Sequence, residues 1–177
     1  MKPQVPIQDF YPADVAHCYG CGRLNPQGLH IRSTWDGDDT LAVITPREYH
    51  TAMPGYVYGG FIASLVDCHG TGSAALAAYR AAGRQPGTSP PLRFVTASLK
   101  VDFLRPTPIG IPLEARGRIK EVNPHKVIVD IEVIAGGEVC ARGNVVAVLM
   151  PEHLVSGGSA QPSPPPAEQE PKRSGRG

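Results

Sequence analysis

The chain has 177 residues, of which 41% are hydrophobic and 19% are charged, so it can bury one core of ordinary size and is too short for two comfortable domains. Its 17 basic and 16 acidic side chains nearly balance, which leaves no strong field to recruit nucleic acid or an acidic membrane surface. No window approaches the roughly 18 apolar residues of a membrane span, and the first residues lack the apolar stretch of a secretory signal. We therefore expect a cytoplasmic protein whose four cysteines, too few for a disulfide scaffold at this length, are reduced.

Three segments follow one another along the chain. Residues 1–28 form a lead-in that is punctuated by proline and contains a Cys-x-x-Cys loop, residues 29–154 form the main domain, and residues 155–177 form a tail. The tail is rich in Pro, Ser, Gly and charge, so it cannot bury enough apolar surface to order itself, and we expect it to be disordered.

The main domain begins with two strands and continues with a long helix. Residues 29–35 and 40–45 alternate between apolar and polar side chains on either side of the sequence Asp-Gly-Asp-Asp at 36–39, which indicates a hairpin. From residue 61 to about residue 82 the apolar positions recur with helical period, and Gly83 ends the run.

Further strand-like runs follow the helix. They are separated by segments rich in proline, glycine and asparagine, each of which is a turn by composition. Two strands, one long helix and then an antiparallel meander are typical of an α+β fold in which the sheet covers the helix. The runs after the helix are residues 94–104, 111–122, 126–134 and 139–150.

The predicted helix carries a stripe of small and polar residues along one side. At about 100° per residue, Asp67 falls in this stripe, whereas the large apolar side chains fall on the opposite half, which a sheet would cover. We therefore expect Asp67 to face away from the sheet, where a second subunit could approach closely and partly desolvate the carboxylate, making it a stronger base or nucleophile. A solvated aspartate on a helix surface is the alternative. The stripe consists of Gly60, Ser64, Asp67, Thr71, Ala74 and Ala78.

Two glycines open this helix. The amides of Gly59 and Gly60 have no side chain in the way and could bind a developing oxyanion with the support of the helix dipole, although a tight turn would use the same pair. At about 1.5 Å rise per residue, Gly59 and Asp67 lie roughly 12 Å apart along one helix, too far to act on one carbonyl. Two antiparallel helices across a twofold axis would instead bring Gly59 of one chain beside Asp67 of the other.

Residues 54–67 read Pro-Gly-Tyr-Val-Tyr-Gly-Gly-Phe-Ile-Ala-Ser-Leu-Val-Asp. This segment resembles the signature of the hotdog-fold thioesterases of the phenylacetate type and the 4-hydroxybenzoyl-CoA type, in which a Gly and an apolar residue precede His-Gly-Gly and then an acid. The Gly-rich loop at 18–29 resembles the lead-in of many members, and Phe-Leu-Arg-Pro at 103–106, followed by Gly110, resembles their strand corner. The resemblance covers residues 18–150.

The resemblance implies a hotdog fold, an antiparallel sheet of about five to six strands wrapped around one long central helix. It also implies a homodimer that often pairs into a homotetramer, and hydrolysis of an acyl-CoA to the free acid and CoA without a metal or organic cofactor. By position, Gly59 matches the oxyanion amide, with Gly60 beside it, and Asp67 of the partner subunit matches the catalytic acid. Thr71 lies where some members carry a hydroxyl that positions water or the acid. Asp67 could act as a general base or as a nucleophile.

Further residues complete the predicted site and leave alternatives open. Tyr58 stands at the usual position of the signature His, and its hydroxyl could donate a hydrogen bond in place of the imidazole. Ser64 on the stripe and Arg105, whose guanidinium matches phosphate geometry, are candidate substrate contacts. Ala52 falls where an Asn or Gln often holds the thioester carbonyl, so a protein that binds acyl-CoA without turnover is an alternative. A dehydratase or hydratase that uses His50 is a weaker one.

The cysteine pair of the lead-in loop allows a further interpretation. Cys18 and Cys21 have the spacing of a zinc or dithiol site, but a structural zinc site needs four ligands and no second pair follows. His17 and His30 could complete one only through local folding, so a tight Gly-rich structural loop is favoured and no metal site is predicted. His69, in the apolar half of the helix, is expected to be a hydrogen-bonded core residue.

Overall fold

One helix and a six-stranded antiparallel sheet make up most of the structure, a computed structural model that describes residues 4–151. The tail predicted from residue 155 onward lies outside the described residues. Two short 3₁₀ helices, Ile7–Phe10 and Ala13–Val15, precede the sheet. Helix α1 spans Gly59–Ala81, and the strands are β1 (Thr34–Asp36), β2 (Asp39–Ile44), β3 (Thr51–Met53), β4 (Tyr56–Val57), β5 (Phe94–Phe103), β6 (Leu113–Val122), β7 (Lys126–Ala135) and β8 (Glu138–Leu149).

The main sheet has the strand order β1-β2-β6-β7-β8-β5, and every neighbouring pair in it is antiparallel. Strands β3 and β4 form a separate hairpin just before the helix. Helix α1 packs against β5, β6, β7 and β8, so the sheet wraps one long central helix. This is the α+β hotdog architecture that the sequence predicts.

The side of α1 that faces the sheet is apolar because its large side chains recur at helical spacing. Phe61, Leu65 and Val66 are at most 2% exposed, and burying a side chain of this size stabilises the fold by about 1.5–3 kcal/mol. Alternate residues of β7, such as Val129, are buried in the same core and form the sheet side of it. Gly143 on β8 leaves room for Val66, which would lie 2.3 Å from a Cβ at that position.

Within residues 4–151, no helix combines the length and the apolar character needed to cross a bilayer.

The predicted boundaries of α1 and of the strands after it are confirmed to within two residues. The prediction of a strand over residues 29–35 is wrong for its first part, because only Thr34–Asp36 pairs with β2. His30 adopts a left-handed backbone conformation with φ 56°, and the amides on either side of it donate to carbonyl groups of the lead-in loop instead of a strand. The hairpin of β3 and β4 has no counterpart in the sequence pattern, because its strands have three and two residues and are mostly exposed.

The lead-in packs onto the domain. Ile7, Tyr11, Ala16 and Cys21 are at most 7% exposed and belong to the same core as the helix. The guanidinium of Arg93, just before β5, stacks 3.6 Å from the centre of the Tyr11 ring. The lead-in is therefore held against the start of β5 by both apolar burial and a cation–π contact.

Candidate active site

Helix α1 begins with two glycines whose amide hydrogens lack an intrahelical acceptor. Gly59 is the first helical residue, and Tyr58 before it has an extended backbone and supplies no side-chain cap. The amide of Phe61 donates to the Tyr58 carbonyl at 3.0 Å. The amides of Gly59 and Gly60 are thus open at the helix end, where the helix dipole favours negative charge.

The Tyr58 side chain lies over the Cα of Gly60. It folds back so that a Cβ at residue 60 would lie 2.1 Å from the Tyr58 hydroxyl oxygen. The Tyr58 residue remains 50% exposed. The structure thus places the phenol, which the sequence offers in place of the signature His, beside the open amides.

Asp67 lies two turns further along α1 and is held by a residue that the sequence does not reveal. Its carboxylate accepts a hydrogen bond from the Thr96 hydroxyl on β5. Thr96 lies at a β-bulge, where the pairing of β5 with β8 shifts register between Thr96 and Ser98. Bulges re-aim side chains and are frequent next to active sites.

The prediction that Asp67 faces away from the sheet is wrong, because the edge strand β5 runs beside the helix stripe. Only the first half of the stripe is open: Ser64, Asp67 and Thr71 are half-buried, whereas Ala74 and Ala78 are buried within the chain itself. A second subunit could therefore reach the stripe at its first half and not along its whole length.

The hydroxyl groups of the stripe are directed at helix carbonyls. Ser64 donates to the Gly60 carbonyl at 2.8 Å, and Thr71 donates to the Asp67 carbonyl at 3.3 Å. Both oxygens keep lone pairs that can accept from water or substrate. The hydroxyl that contacts the Asp67 carboxylate is that of Thr96, on a different element from the predicted Thr71.

Gly59 and Asp67 both border β5. They belong to one unbroken helix, so about 12 Å separates them along its axis. A Cβ at residue 59 would lie 3.3 Å from the Phe103 ring at the end of β5, and Thr96 near its start holds Asp67. Within the described residues β5 pairs only with β8, so its other edge is uncovered.

A groove beside Gly59 joins apolar and polar groups. Phe103 lines it together with Arg105, whose guanidinium forms an exposed ion pair with Glu138. Thr107 lines the same groove, and its hydroxyl oxygen is buried and has no hydrogen-bond partner among residues 4–151. A buried hydroxyl without a partner is uncommon in folded proteins.

His69 lies in the core, as predicted, and is fully buried. The Ser33 hydroxyl lies 2.9 Å from Nδ1, and the Thr40 hydroxyl lies 3.4 Å from Nε2 and donates to the Gly117 carbonyl. These contacts are satisfied by a neutral imidazole that carries its hydrogen on Nε2. Burial lowers the pKa of His69 to about 4. The residue is structural, with no surface to offer a substrate.

His50 accepts a hydrogen bond from the Arg47 amide through Nδ1, at 3.0 Å, and its ring packs 4.5 Å from the ring of Phe61. Burial, with a smaller effect from the Arg47 charge, holds the pKa of His50 below its usual value. In the part of the chain that the structure describes, no carboxylate is hydrogen-bonded to His50. The histidine and acid pair that a hydratase needs is therefore not formed here.

Three thiols meet at the junction of the lead-in loop and α1. The sulfur atoms of Cys18, Cys21 and Cys68 lie within 4.8 Å of one another. Cys68 is the residue after Asp67, so sequence spacing alone does not reveal it as a partner of the Cys18–Cys21 pair. His17 and His30 are not part of the cluster. Hydrogen bonds within the cluster lower the pKa of Cys18 and raise that of Cys21 to about 12.

Residues 54–142, half of the chain, match the sequence model of the thioesterase superfamily. The chain belongs to the thioesterase superfamily. The matched range contains α1 with its open amides, Asp67, and Thr96 on β5. Among solved structures, a thioesterase superfamily protein from Shewanella loihica PV-4 is 48% identical over 81% of this chain and 99% of that chain, with a TM-score of 0.62. No curated protein matches the chain.

Two more distant structures share the fold. The PaaI protein from the phenylacetic acid degradation operon of E. coli is 18% identical over 70% of this chain and 81% of that chain, with a TM-score of 0.56. A thioesterase from Haemophilus influenzae is 15% identical over 73% of this chain and 85% of that chain, with a TM-score of 0.58. Membership in the thioesterase superfamily supports hydrolysis of thioesters as the general activity.

Proposed function

We propose that this thioesterase superfamily member hydrolyses an acyl-CoA to the free acid and CoA, and that it does so as a homodimer. In each of two composite sites, the Gly59 amide of one chain holds the thioester carbonyl, and Asp67 of the other chain drives the attack. The observation that carries the proposal is the arrangement along β5, where open amides and a hydroxyl-anchored acid lie on one helix yet too far apart to share a carbonyl.

The helix end supplies the electrophilic half of the chemistry. Attack on a thioester carbonyl places negative charge on its oxygen, and preorganised backbone amides with the helix dipole stabilise that charge. The Gly59 amide is the nearer candidate to the groove that Phe103 and Arg105 line. The Tyr58 hydroxyl, folded over Gly60, is placed to donate a further hydrogen bond.

Asp67 supplies the other half. As a general base it would take a proton from water as the water attacks; as a nucleophile it would form a mixed anhydride that water then cleaves. In both routes the thiolate of CoA leaves and the acid is released. Thr96 orients the carboxylate in either case, because its hydroxyl donates to one carboxylate oxygen and leaves the other free.

The uncovered edge of β5 is the surface on which a second chain fits. Leu99 and Phe103 on this strand are 40% and 56% exposed, and an uncovered strand of ten residues is a template for pairing with another strand. Twofold pairing at this edge would set two α1 helices antiparallel and bring Gly59 of one chain towards Asp67 of the other. Arg105, at the mouth of the groove, is the candidate contact for CoA phosphates.

A thiol-release screen over short, long and aryl acyl-CoAs tests the activity. We expect at least one substrate to be turned over by the wild type and by Asp102→Asn, a control carboxylate that is exposed on the same strand β5. Asp67→Asn should lose about two to four orders of magnitude in kcat, the usual contribution of a positioned acid or base. Unchanged turnover in Asp67→Asn would refute the assigned role, and saturable binding without thiol release by the wild type would favour the non-catalytic alternative.

A heterodimer tests whether the site is shared between chains. Gly59→Pro removes the Gly59 amide hydrogen, and proline is tolerated at the first helical position. Co-expressed with Asp67→Asn under two affinity tags, it gives a heterodimer with one intact site and one doubly defective site. We expect about half of the wild-type activity from this heterodimer, whereas each homodimeric variant stays inactive. No recovery in the heterodimer would mean that the site is not shared between the two chains.

A further inference from the structure

The thioester chemistry leaves the three-thiol cluster without a role. Cys21 and Cys68 are 4% and 5% exposed, whereas Cys18 is exposed at the outer side of the cluster. Within residues 4–151 this is the one group of three or more His, Cys, Asp or Glu side chains whose ligand atoms lie close enough to hold a metal ion. The three sulfurs converge from two elements, the lead-in loop and helix α1.

The spacing of the sulfurs fits a metal better than a disulfide. The Sγ atoms of Cys18 and Cys68 are 3.7 Å apart. Two thiolate ligands of a tetrahedral zinc ion, each at about 2.3 Å from the metal, lie about 3.8 Å apart, whereas disulfide sulfurs lie about 2.05 Å apart.

The loop holds this geometry through its backbone. The Gly22 amide donates to the Cys18 carbonyl at 2.8 Å, which closes a tight turn around the pair. The Gly20 backbone lies directly against Cys68, because a Cβ at residue 20 would be 2.2 Å from the Cys68 sulfur. The Gly20 carbonyl accepts from the Ile31 amide at 2.9 Å, which anchors the loop to the chain that leads into β1. The loop is therefore held in place by backbone hydrogen bonds that do not depend on the thiols.

A half-buried cation, Arg93, lies beside the lead-in. Arg93 stacks on the Tyr11 ring, and Tyr11 belongs to the same buried core as Cys21 and Cys68. The Nε and Nη1 atoms of Arg93 are buried and have no hydrogen-bond partner among the described residues. Zn²⁺ with three thiolates carries a net charge of about −1, which the Arg93 guanidinium would offset.

We propose that Cys18, Cys21 and Cys68 bind one Zn²⁺ ion through three thiolates. The fourth ligand is water or another small donor that enters from the exposed side at Cys18, an open coordination position of the kind found in zinc sites with three protein ligands. Each thiol that still carries its proton releases it to solvent when the metal binds. The ion ties the lead-in loop to α1 at the residue that follows Asp67, so it would fix the wall of the site and take no part in the thioester chemistry.

The metal content of the purified full chain tests this site directly. Purified without chelator, the wild type should contain about one zinc ion per chain by mass spectrometric element analysis. Cys140→Ser is the matched control, because Cys140 is equally buried but belongs to β8 and not to the cluster. We expect Cys140→Ser to keep its zinc and Cys68→Ser to lose at least about nine tenths of it.

Metal titration into the chelated wild type keeps the test independent of how well each variant folds. Zn²⁺ should raise the Tm of the wild type and of Cys140→Ser, and Co²⁺ should produce the intense thiolate-to-cobalt absorption band of a tetrahedral sulfur site. The proposal is overturned if the wild type contains no zinc, gives no such band with Co²⁺ and shows no Tm shift. Recovery of a Cys18–Cys68 or Cys18–Cys21 disulfide from protein purified under nitrogen would overturn it as well. Thioesterase activity enters none of these readouts, so failure of the proposed function leaves the outcome unaffected.

Discussion

Asp67 and His69 lie two residues apart on α1 but differ in burial and in their hydrogen-bond partners. His69 is fully buried, its ring nitrogens are hydrogen-bonded by Ser33 and Thr40, and its pKa is lowered to about 4 by burial. Asp67 is half-buried, contacts one hydroxyl, and lies at the uncovered edge of the sheet. Both are polar residues of one helix, yet only one of them keeps hydrogen-bonding capacity for a ligand.

The difference separates a polar residue whose partners are all in the core from one that can still bind a ligand. A buried polar group is tolerated when its partners come from the protein, and those same partners occupy the atoms that a substrate would need. The open amides of Gly59 and Gly60 and the second oxygen of Asp67 have kept that capacity. Substitutions on the two faces of α1 should therefore give different results. Those on the Asp67 face should lower activity, and those on the His69 face should change stability.

After Asp67→Asn, the largest effect is expected from removing the Gly59 amide hydrogen. Gly59→Pro should lower kcat by about two to three orders of magnitude, the usual loss on removal of one oxyanion donor, with little loss of stability because the preceding Tyr58 already has an extended backbone. Steady-state thiol release and thermal unfolding of the same preparation measure the two effects. A fall in stability with unchanged kcat would remove Gly59 from the site.

Gly59→Ala is the matched control for that substitution. It adds the same Cβ beside the Phe103 ring, at 3.3 Å in the present geometry, and keeps the amide hydrogen. We expect Gly59→Ala to retain most of the activity after a small shift of Phe103. If alanine and proline reduce kcat equally, the effect comes from crowding and not from the lost donor.

On the other face, His69 should make stability depend on pH. The unfolded chain takes up a proton on this residue below its ordinary pKa of 6.5, whereas the folded chain does so only near 4, so the stability present above about pH 6.5 is lost as the pH falls. From this residue alone we expect about 2 kcal/mol less stability at pH 5 than at pH 7.5. Urea unfolding at fixed protein concentration measures the loss.

His69→Gln should flatten this dependence, whatever its own effect on stability at neutral pH. His125→Gln is the control, because His125 is exposed in the turn before β7 and should leave the pH dependence unchanged. An identical slope in wild type and His69→Gln between about pH 7.5 and about pH 5 would mean that the buried imidazole is not neutral in the folded protein.

The sequence is informative about α1 and the strands of the meander because their periodicity and their Gly and Pro boundaries are local. The paired region of β1 is shorter than predicted, since His30 leaves the extended conformation and the amides of Leu29 and Ile31 donate to the lead-in loop. No local pattern signals that tertiary contact. The short strands β3 and β4 are mostly exposed and carry no period that a pattern could detect.

Part of the candidate site could likewise be predicted from local sequence, and part of it could not. The amides and the acid follow from helix geometry and from the signature around residue 59. Thr96, Cys68 and the buried half of the stripe do not, because each depends on which strand or loop packs beside the helix. Thr96 is 29 residues from Asp67 and is aimed at it by a bulge. Cys68 is 50 residues from Cys18. Such pairings are set by topology and not by spacing.

The smallest of the expected effects concerns Thr96, which we expect to position Asp67 through its hydrogen bond. Thr96→Val keeps the shape of the side chain and removes its hydroxyl, which should lower kcat about fivefold to tenfold at unchanged KM, the equivalent of one lost hydrogen bond of typical net strength. Thr96→Ser restores the hydroxyl and should restore kcat, and Ser98→Ala, beyond the bulge on the same strand, should have no effect. A higher KM, or failure of Thr96→Ser to recover the rate, would mean that Thr96 supports β5 and not the acid. If Thr96→Ser recovers the rate, the hydroxyl contact from β5 supports activity at Asp67. The partners of His69, in contrast, all lie inside the core and support stability.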